Sequence, residues 1–152
     1  MSSVDAATYG GARPTRVAVV IPAKDEAERI EKTVTASFAI RGVDIVVVVD
    51  DGSSDATAAL AKGAGAIVVR HRSNRGKAAA MATGAKVVYM REETTHAAQV
   101  TREGQVLKEP ARALLFIDAD MQESARGAEP LVEAVLDEGV DMAIATLPPQ
   151  EG

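Results

Sequence analysis

Short apolar, β-branched runs alternate along this chain with stretches whose apolar residues recur every three or four positions. Val17 to Ile21 (VAVVI) is the first run and stops at Pro22. The segment after it puts Ala27, Ile30, Val34 and Phe38 on one helical face. Ile45 to Val49 (IVVVV) is the second run, with Asp50, Asp51, Gly52, Ser53, Ser54 and Asp55 as its exit loop. An Ala-rich helix is predicted from about Ala56 to Lys62, stopping near Gly63 and Gly65. Ala66 to Val69 is the third strand. The basic loop RHRSNRGK then leads into a third helix carrying Ala78, Met81, Ala82, Ala85 and Val88 as its apolar positions. Arg91 to Glu109 is polar with Gly104 inside it, and reads as an excursion that turns as a hairpin (QVTREGQVL). Ala113 to Ile117 is the fourth strand and runs into Asp118-Ala119-Asp120. Pro130 opens a helix with the stripe Leu131, Ala134 and Val135; Gly139 ends it, and Val140 to Ala145 is a last strand.

Continuous apolar runs, rather than alternating ones, indicate strands covered on both faces. Strands alternating with helices indicate right-handed crossovers and a parallel sheet. The expected fold class is therefore α/β: a Rossmann-like, mostly parallel sheet with helices on both faces. Residues 1–14 read as a flexible tail, 15–147 as one domain with 91–109 as an insertion, and 148–152 as an exit loop or truncation point.

Composition narrows the classes. With 152 residues the chain can bury one real core. A net charge of −5 and 3% aromatic residues argue against a nucleic-acid footprint or a base-stacking platform. There is no Cys, so disulfides and thiolate metal sites are excluded, which fits a reducing compartment. No secretory signal or membrane-spanning run is readable; a cytoplasmic protein is expected, with contact at the inner membrane face left open.

In open parallel sheets ligands bind beyond the carboxyl ends of the strands. Four polar loops stand there: Pro22-Ala23-Lys24-Asp25-Glu26, Asp50 to Asp55, His71 to Lys77, and Asp118 with Asp120. Period two sends Asp118 and Asp120 the same way, and two carboxylates side by side suit a hard divalent cation that also takes phosphate oxygens. Arg75 and Lys77 can neutralise a pyrophosphate, with Gly76 allowing close backbone approach. Asp51 and Asp25 or Glu26 can accept from a base N–H or ribose hydroxyls. Together these describe a nucleoside-diphosphate site. Plainer readings stand beside each residue. An isolated Asp-x-Asp is more often a solvated acidic turn. Ser54 and Asp55 read as N-caps, and Asp25 and Glu26 as residues suited to a helix N-terminus. His71 reads as a solvated loop residue, the cations from Arg70 to Lys77 also suit a solvated face, and Met81 with the Ala stripe reads as core.

In VVIPAKDEAERI, VDDGSSDAT, NRGKAAAMATG and LLFIDADMQ, in that order and spacing over most of residues 17–122, the chain resembles the family 2 type of GT-A glycosyltransferases. DADMQ is similar to the form seen in polyprenyl-phosphate sugar transferases, and the first two motifs to glucosyl-3-phosphoglycerate synthases. The resemblance implies that Pro22, Ala23 and Glu26 line a nucleoside pocket and that Asp51 contacts the base. It puts Gly76 and Lys77 near the diphosphate. Asp118 and Asp120 would then hold Mg²⁺ or Mn²⁺, Asp120 as the direct ligand. It implies a nucleotide-sugar donor and an acceptor such as a polyprenyl phosphate or a small phosphorylated acid. The chain departs from the pattern at Asp25, where Asn is frequent, and at Ala78, where Gly is frequent. Past the Asp-x-Asp motif no candidate base is found, so the fold is expected to be an incomplete one. The alternatives are a non-catalytic nucleotide-binding module or a truncated transferase lacking the acceptor half and, lower, a sugar-phosphate nucleotidyltransferase, against which the carboxylates of PAKDE argue; an exposed sheet edge would allow the chain to form a homodimer. A receiver-like domain ranks lowest, because its acidic residues and late Lys do not occur in order.

Overall fold

The computed structural model describes residues 14–97 and 111–138. The expected hairpin at 99–107, the strand at 140–145 and the two terminal tails, Pro14 excepted, lie outside the described residues. The elements are β1 (Val17–Ala23), α1 (Ile30–Phe38), β2 (Val43–Asp50), α2 (Thr57–Gly63), β3 (Ile67–Arg70), α3 (Lys77–Ala97), β4 (Ala113–Phe116), a 3₁₀ segment (Gln122–Ala128) and α4 (Glu129–Glu138). The four strands form one sheet in the order β3-β2-β1-β4, with every pair parallel. The α/β class expected from the runs is the one observed.

Period two splits the two central strands between two cores. Val17, Val19, Ile21, Val46 and Val48 face α1, the 3₁₀ segment and α4. Ala18, Val20, Val47 and Val49 face α3, where Ala80 and Val88 meet them. Both faces of β1 and β2 are therefore dry, which is why these runs show no polar alternation.

The chain moves outward from β1 to β2 to β3, then returns across the sheet to β4. This reversal puts a topological switch point between β1 and β4. Pro22 helps to open it. Even-numbered residues of β1 turn their backbone toward β4, as Ile117 N donating to Val20 O shows. Pro22 has no N–H to give in that direction, and β4 has already ended at Phe116. At the other end of the sheet Arg112, just ahead of β4, pairs with Asp44 of β2 and with Glu92 of α3 at 2.5 Å.

Several element boundaries and faces differ from the sequence expectation. Helix α3 does not stop at Arg91 but continues to Ala97, and Glu92 is a buried ion-pair partner rather than part of a polar excursion. Its core stripe is Ala80, Gly84 and Val88; Ala78 and Ala82 are exposed and Met81 is half-buried. In α4 the buried pair is Val132 and Val135, while Leu131 is exposed. The 3₁₀ segment had no sequence signal. In α1, Ile30 and Val34 are fully buried, while Ala27 belongs to the turn before the helix and Phe38 lies at its exposed edge.

Gly84 fixes the phase of α3. A Cβ there would lie 2.2 Å from Val20 Cγ1, and Val20 is completely buried and β-branched. Gly84→Ala should destabilise the fold by about 2 kcal/mol, the usual scale of overpacking, despite the better helix propensity of Ala. Urea unfolding checks this. Adding Val20→Ala makes room for the new methyl, so the double variant should lose less stability than the two single losses combined.

Candidate functional site

Because all four strands are parallel, their carboxyl ends share one edge. There the loops line a single open cleft of about 440 Å³, within the range of small-molecule sites. Pro22, Ala23 and Glu26 come from the loop after β1, Asp51 from the loop after β2, and Gly76 with Lys77 from the start of α3. Asp118 and Asp120 come from the loop after β4. All eight sequence-predicted residues are thus brought to one cleft. Lys24, Asn74, Ala80 and Ala119 line it too. The side chain of Arg75 does not, so of the two cations expected beside a pyrophosphate only Lys77 is in place.

The first two loops hold each other through side chains. Asp25 N donates to Ser53 Oγ at 2.8 Å, and Ser54 N donates back to Asp25 Oδ1 at 2.8 Å. Glu26 N donates to Thr57 Oγ1 at 2.9 Å, and Ala27 N to Asp55 Oδ2 at 3.2 Å. Asp25 adopts φ +53, in the left-handed region that Asp tolerates. Asp25 is therefore a cross-loop staple and not a helix N-terminal residue, since α1 begins only at Ile30. Ser54 does not cap α2, whose assigned N-cap is Ala56, but Asp55 Oδ1 accepts from Thr57 N at 3.0 Å and so serves the first turn as expected. The Ser54 N–H bond holds the Asp25 carboxyl below its ordinary range, and the Thr57 hydroxyl does the same for Asp55. Glu26 faces the cleft with Oε1 bonded to Arg29 Nε at 2.6 Å.

Asp51 ties the second loop to the third. Its side chain is buried, and burial pushes its carboxyl up. Donation from Arg75 N, the His71 ring and Gly76 N outweighs that and holds it below the ordinary carboxylate range. Oδ1 accepts from Arg75 N and from His71 Nδ1, each at 2.8 Å, and Oδ2 accepts from Gly76 N at 2.8 Å. An ionised carboxylate only accepts, so Nδ1 carries the His71 proton toward it. His71 Nε2 lies 2.8 Å from Thr83 Oγ1 on α3. His71 is accordingly a buried link between β3, Asp51 and α3, not the solvated loop residue expected of it. Gly52 makes this junction possible: it has φ +81, and a Cβ on it would stand 2.7 Å from Asn74 N.

Strand β4 ends at Phe116, so the Asp-x-Asp residues are not on a strand as the sequence suggested; Ala119 and Asp120 form a turn. The alternation nevertheless persists. Leu115, Ile117, Ala119 and Met121 are buried, whereas Asp118 is half-buried and Asp120 exposed, both toward the cleft. Asp118 Oδ1 is paired with Lys77 Nζ at 2.5 Å. Asp120 lies close enough to Arg29 to support its positive charge. Among the described residues no three His, Cys, Asp or Glu side chains gather as a metal cage. Two cleft-facing carboxylates alone fit a hard cation that takes its other ligands from phosphate oxygens and water.

The sequence profile of Glycosyl transferase family 2 matches residues 18–91. The uncharacterized protein MJ1222 of Methanocaldococcus jannaschii is 37% identical over 128 residues, which are 84% of this chain and 45% of that protein. The succinoglycan biosynthesis protein ExoU of Rhizobium meliloti is 43% identical over 74 residues, 45% of this chain and 22% of that one. This chain thus spans less than half the length of either relative. Among solved structures, Mycobacterium tuberculosis glucosyl-3-phosphoglycerate synthase superposes with a TM-score of 0.54 at 26% identity, over 91% of this chain and 45% of that one. The same enzyme in complex with Mn²⁺, uridine diphosphate and glucosyl-3-phosphoglycerate gives 0.54 at 26% identity, over 90% and 44%. In its ordered motifs, its matched profile and its parallel sheet, the chain is similar to glycosyl transferase family 2 over residues 18–91.

Proposed function

We propose that the cleft binds a uridine-diphosphate sugar together with Mg²⁺ or Mn²⁺, and that the protein transfers the sugar to an acceptor hydroxyl or phosphate. The observation that carries this reading is the convergence of Asp51, Lys77, Asp118 and Asp120 on one cleft at the switch point of the sheet. Asp118 and Asp120 would hold the ion, whose chemistry is to neutralise charge on the departing diphosphate. Lys77 would leave Asp118 for a phosphate oxygen, a small change because the pair is largely exposed and such pairs hold weakly. Pro22 and Ala23 would form the apolar floor under the base, and Glu26 would accept from the ribose hydroxyls.

Acceptor counting at Asp51 supports uracil over guanine. A carboxylate takes about four hydrogen bonds. Asp51 already accepts three from the protein, two on Oδ1 and one on Oδ2. One position remains, on Oδ2. Uracil offers a single imide N–H there. Guanine offers two parallel donors and would leave one unmatched in a desolvated site. The mycobacterial enzyme's complexes with UDP, Mn²⁺ and phosphoglyceric acid support the same donor and suggest a small phosphorylated acid as acceptor. Among the described residues no helix is long and apolar enough to cross a membrane.

Calorimetric titration of the chain with UDP and GDP, with and without Mn²⁺, tests the site. UDP should bind more tightly with Mn²⁺ than without it, and about tenfold or more tighter than GDP, as loss of one hydrogen bond to a charged group implies. Asp120→Ala should remove the Mn²⁺ enhancement; an unchanged affinity would sink the metal assignment.

Lys77→Met should give effects of opposite sign. UDP binding should weaken, because a phosphate contact is gone. Mn²⁺ binding in the absence of nucleotide should strengthen, because Asp118 no longer has a cation of its own. Electron paramagnetic resonance of free Mn²⁺ measures the second effect.

The Asp51 contacts also set a pH dependence. A depressed folded-state value means that the stabilisation is full above the ordinary carboxylate pKa of about 3.9 and is lost as pH falls below it. Asp51→Asn should cost about 2 kcal/mol at pH 7, where the charge-assisted bonds are lost, and the gap between variant and parent should narrow as pH falls below the ordinary carboxylate range and close once pH is below the depressed folded value. Urea unfolding at a series of pH values reads both limits.

A further inference from the structure

We infer that Thr33 is the positioning residue of the Asp118–Asp120 turn, and that through it the nucleoside loop and the metal loop are held as one unit. The inference rests on the donor-site reading above. Thr33 lies on α1, outside the cleft lining, and is completely buried. Its hydroxyl is nevertheless the meeting point of two loops. Thr33 Oγ1 donates to Ala119 O at 2.6 Å and accepts from Gln122 N at 2.8 Å. It also lies 3.1 Å from Arg29 O in the preceding turn. A hydroxyl has one proton and two acceptor positions, so the shorter Ala119 contact takes the proton and the Gln122 N–H takes a lone pair.

The consequence falls on Asp120. The carbonyl just before it and the N–H two residues after it are fastened to the same oxygen. Its carboxylate is exposed while its backbone is held from both sides. Ala119 and Met121, flanking it, are buried in the core. Gln122 closes the turn at φ +53, a conformation that a non-glycine residue keeps only when its surroundings fix it. On the other side Thr33 N donates to Arg29 O at 3.1 Å, and Arg29 holds Glu26 of the nucleoside loop. A path of direct bonds therefore runs from Glu26 through Arg29 and Thr33 to the peptide units around Asp120. Metal ligands work within a few tenths of an ångström, and groups behind them set that placement.

The test compares UDP affinity with and without Mn²⁺ in the full chain and in Thr33→Val, which keeps the shape and removes the hydroxyl. The Mn²⁺ enhancement should fall by about tenfold, the usual effect of losing a group behind a metal ligand, while binding without metal is retained. Thr33→Ser should restore the enhancement. A purely structural role would lower both affinities together and leave their ratio unchanged; that result, or an unaltered enhancement in Thr33→Val, overturns the inference. Should the Val variant not fold, Thr33→Cys replaces the hydroxyl by a weak donor, and the same ratio is read with an intermediate loss expected. A parent chain with no Mn²⁺ enhancement would instead refute the donor-site reading, and this inference with it.

Discussion

Backbone that leaves a sheet loses its ladder of partners, and a ligand site built from such backbone must find others. Here side-chain oxygens supply them. Asp25, Asp50, Asp51, Ser53, Asp55, Thr57 and Thr33 each accept from a main-chain N–H in the loops beyond the strand ends. Most of these bonds cross from one loop to another, so no loop is ordered alone. The first is held by the second, the second by the third, and the turn after β4 by α1. Removing the acceptor of one of the buried or part-buried bonds, such as Ser53, Thr57, Asp51 or Thr33, leaves a donor unmatched, which costs more than the bond itself contributes. The stretch VDDGSSDAT is thereby explained by physics as well as by resemblance: its polar residues are staples between loops.

The two central strands were legible because a strand dry on both faces must be continuously apolar, and few other structures need such a run. The order of strands and helices then fixed the class and put the polar loops on one edge. What could not be read was the rotation of the helices. Helix α3 is so rich in Ala that apolar periodicity carries little phase information. The close approach of Gly84 to Val20, a pairwise contact across the fold, decides it instead. The same holds for α4, where the buried residues are one position on from one end of the expected stripe.

In the site, the residues facing the cleft were legible and those behind them were not. Asp118 and Asp120 follow from alternation, which outlasts the strand because Ala119 and Met121 still have a core to fill. His71 and Thr33 do not follow from any local pattern. A lone His in a basic loop looks solvated, and a Thr in a helix looks incidental. Their roles come from partners 20 and 86 residues away, Asp51 and Ala119. Sequence periodicity reports which face a side chain occupies, not whose carbonyl it meets.

Charge bookkeeping across the cleft explains why donor and ion should depend on one another. The lining carries Glu26, Asp51, Asp118 and Asp120 against Lys24 and Lys77, an acidic surplus that by itself repels a diphosphate. A divalent cation alone must compete with Lys77 for Asp118 and with Arg29 for the neighbourhood of Asp120. On the proposed reading, an ion and a diphosphate arriving together would nearly cancel each other's charge, and Lys77 would pass from its carboxylate to the phosphate. Such coupling would need no large rearrangement, only an exchange of partners between the exposed Lys77 and the half-buried Asp118. It is compatible with a cleft whose backbone is fixed beforehand by the loop-to-loop bonds.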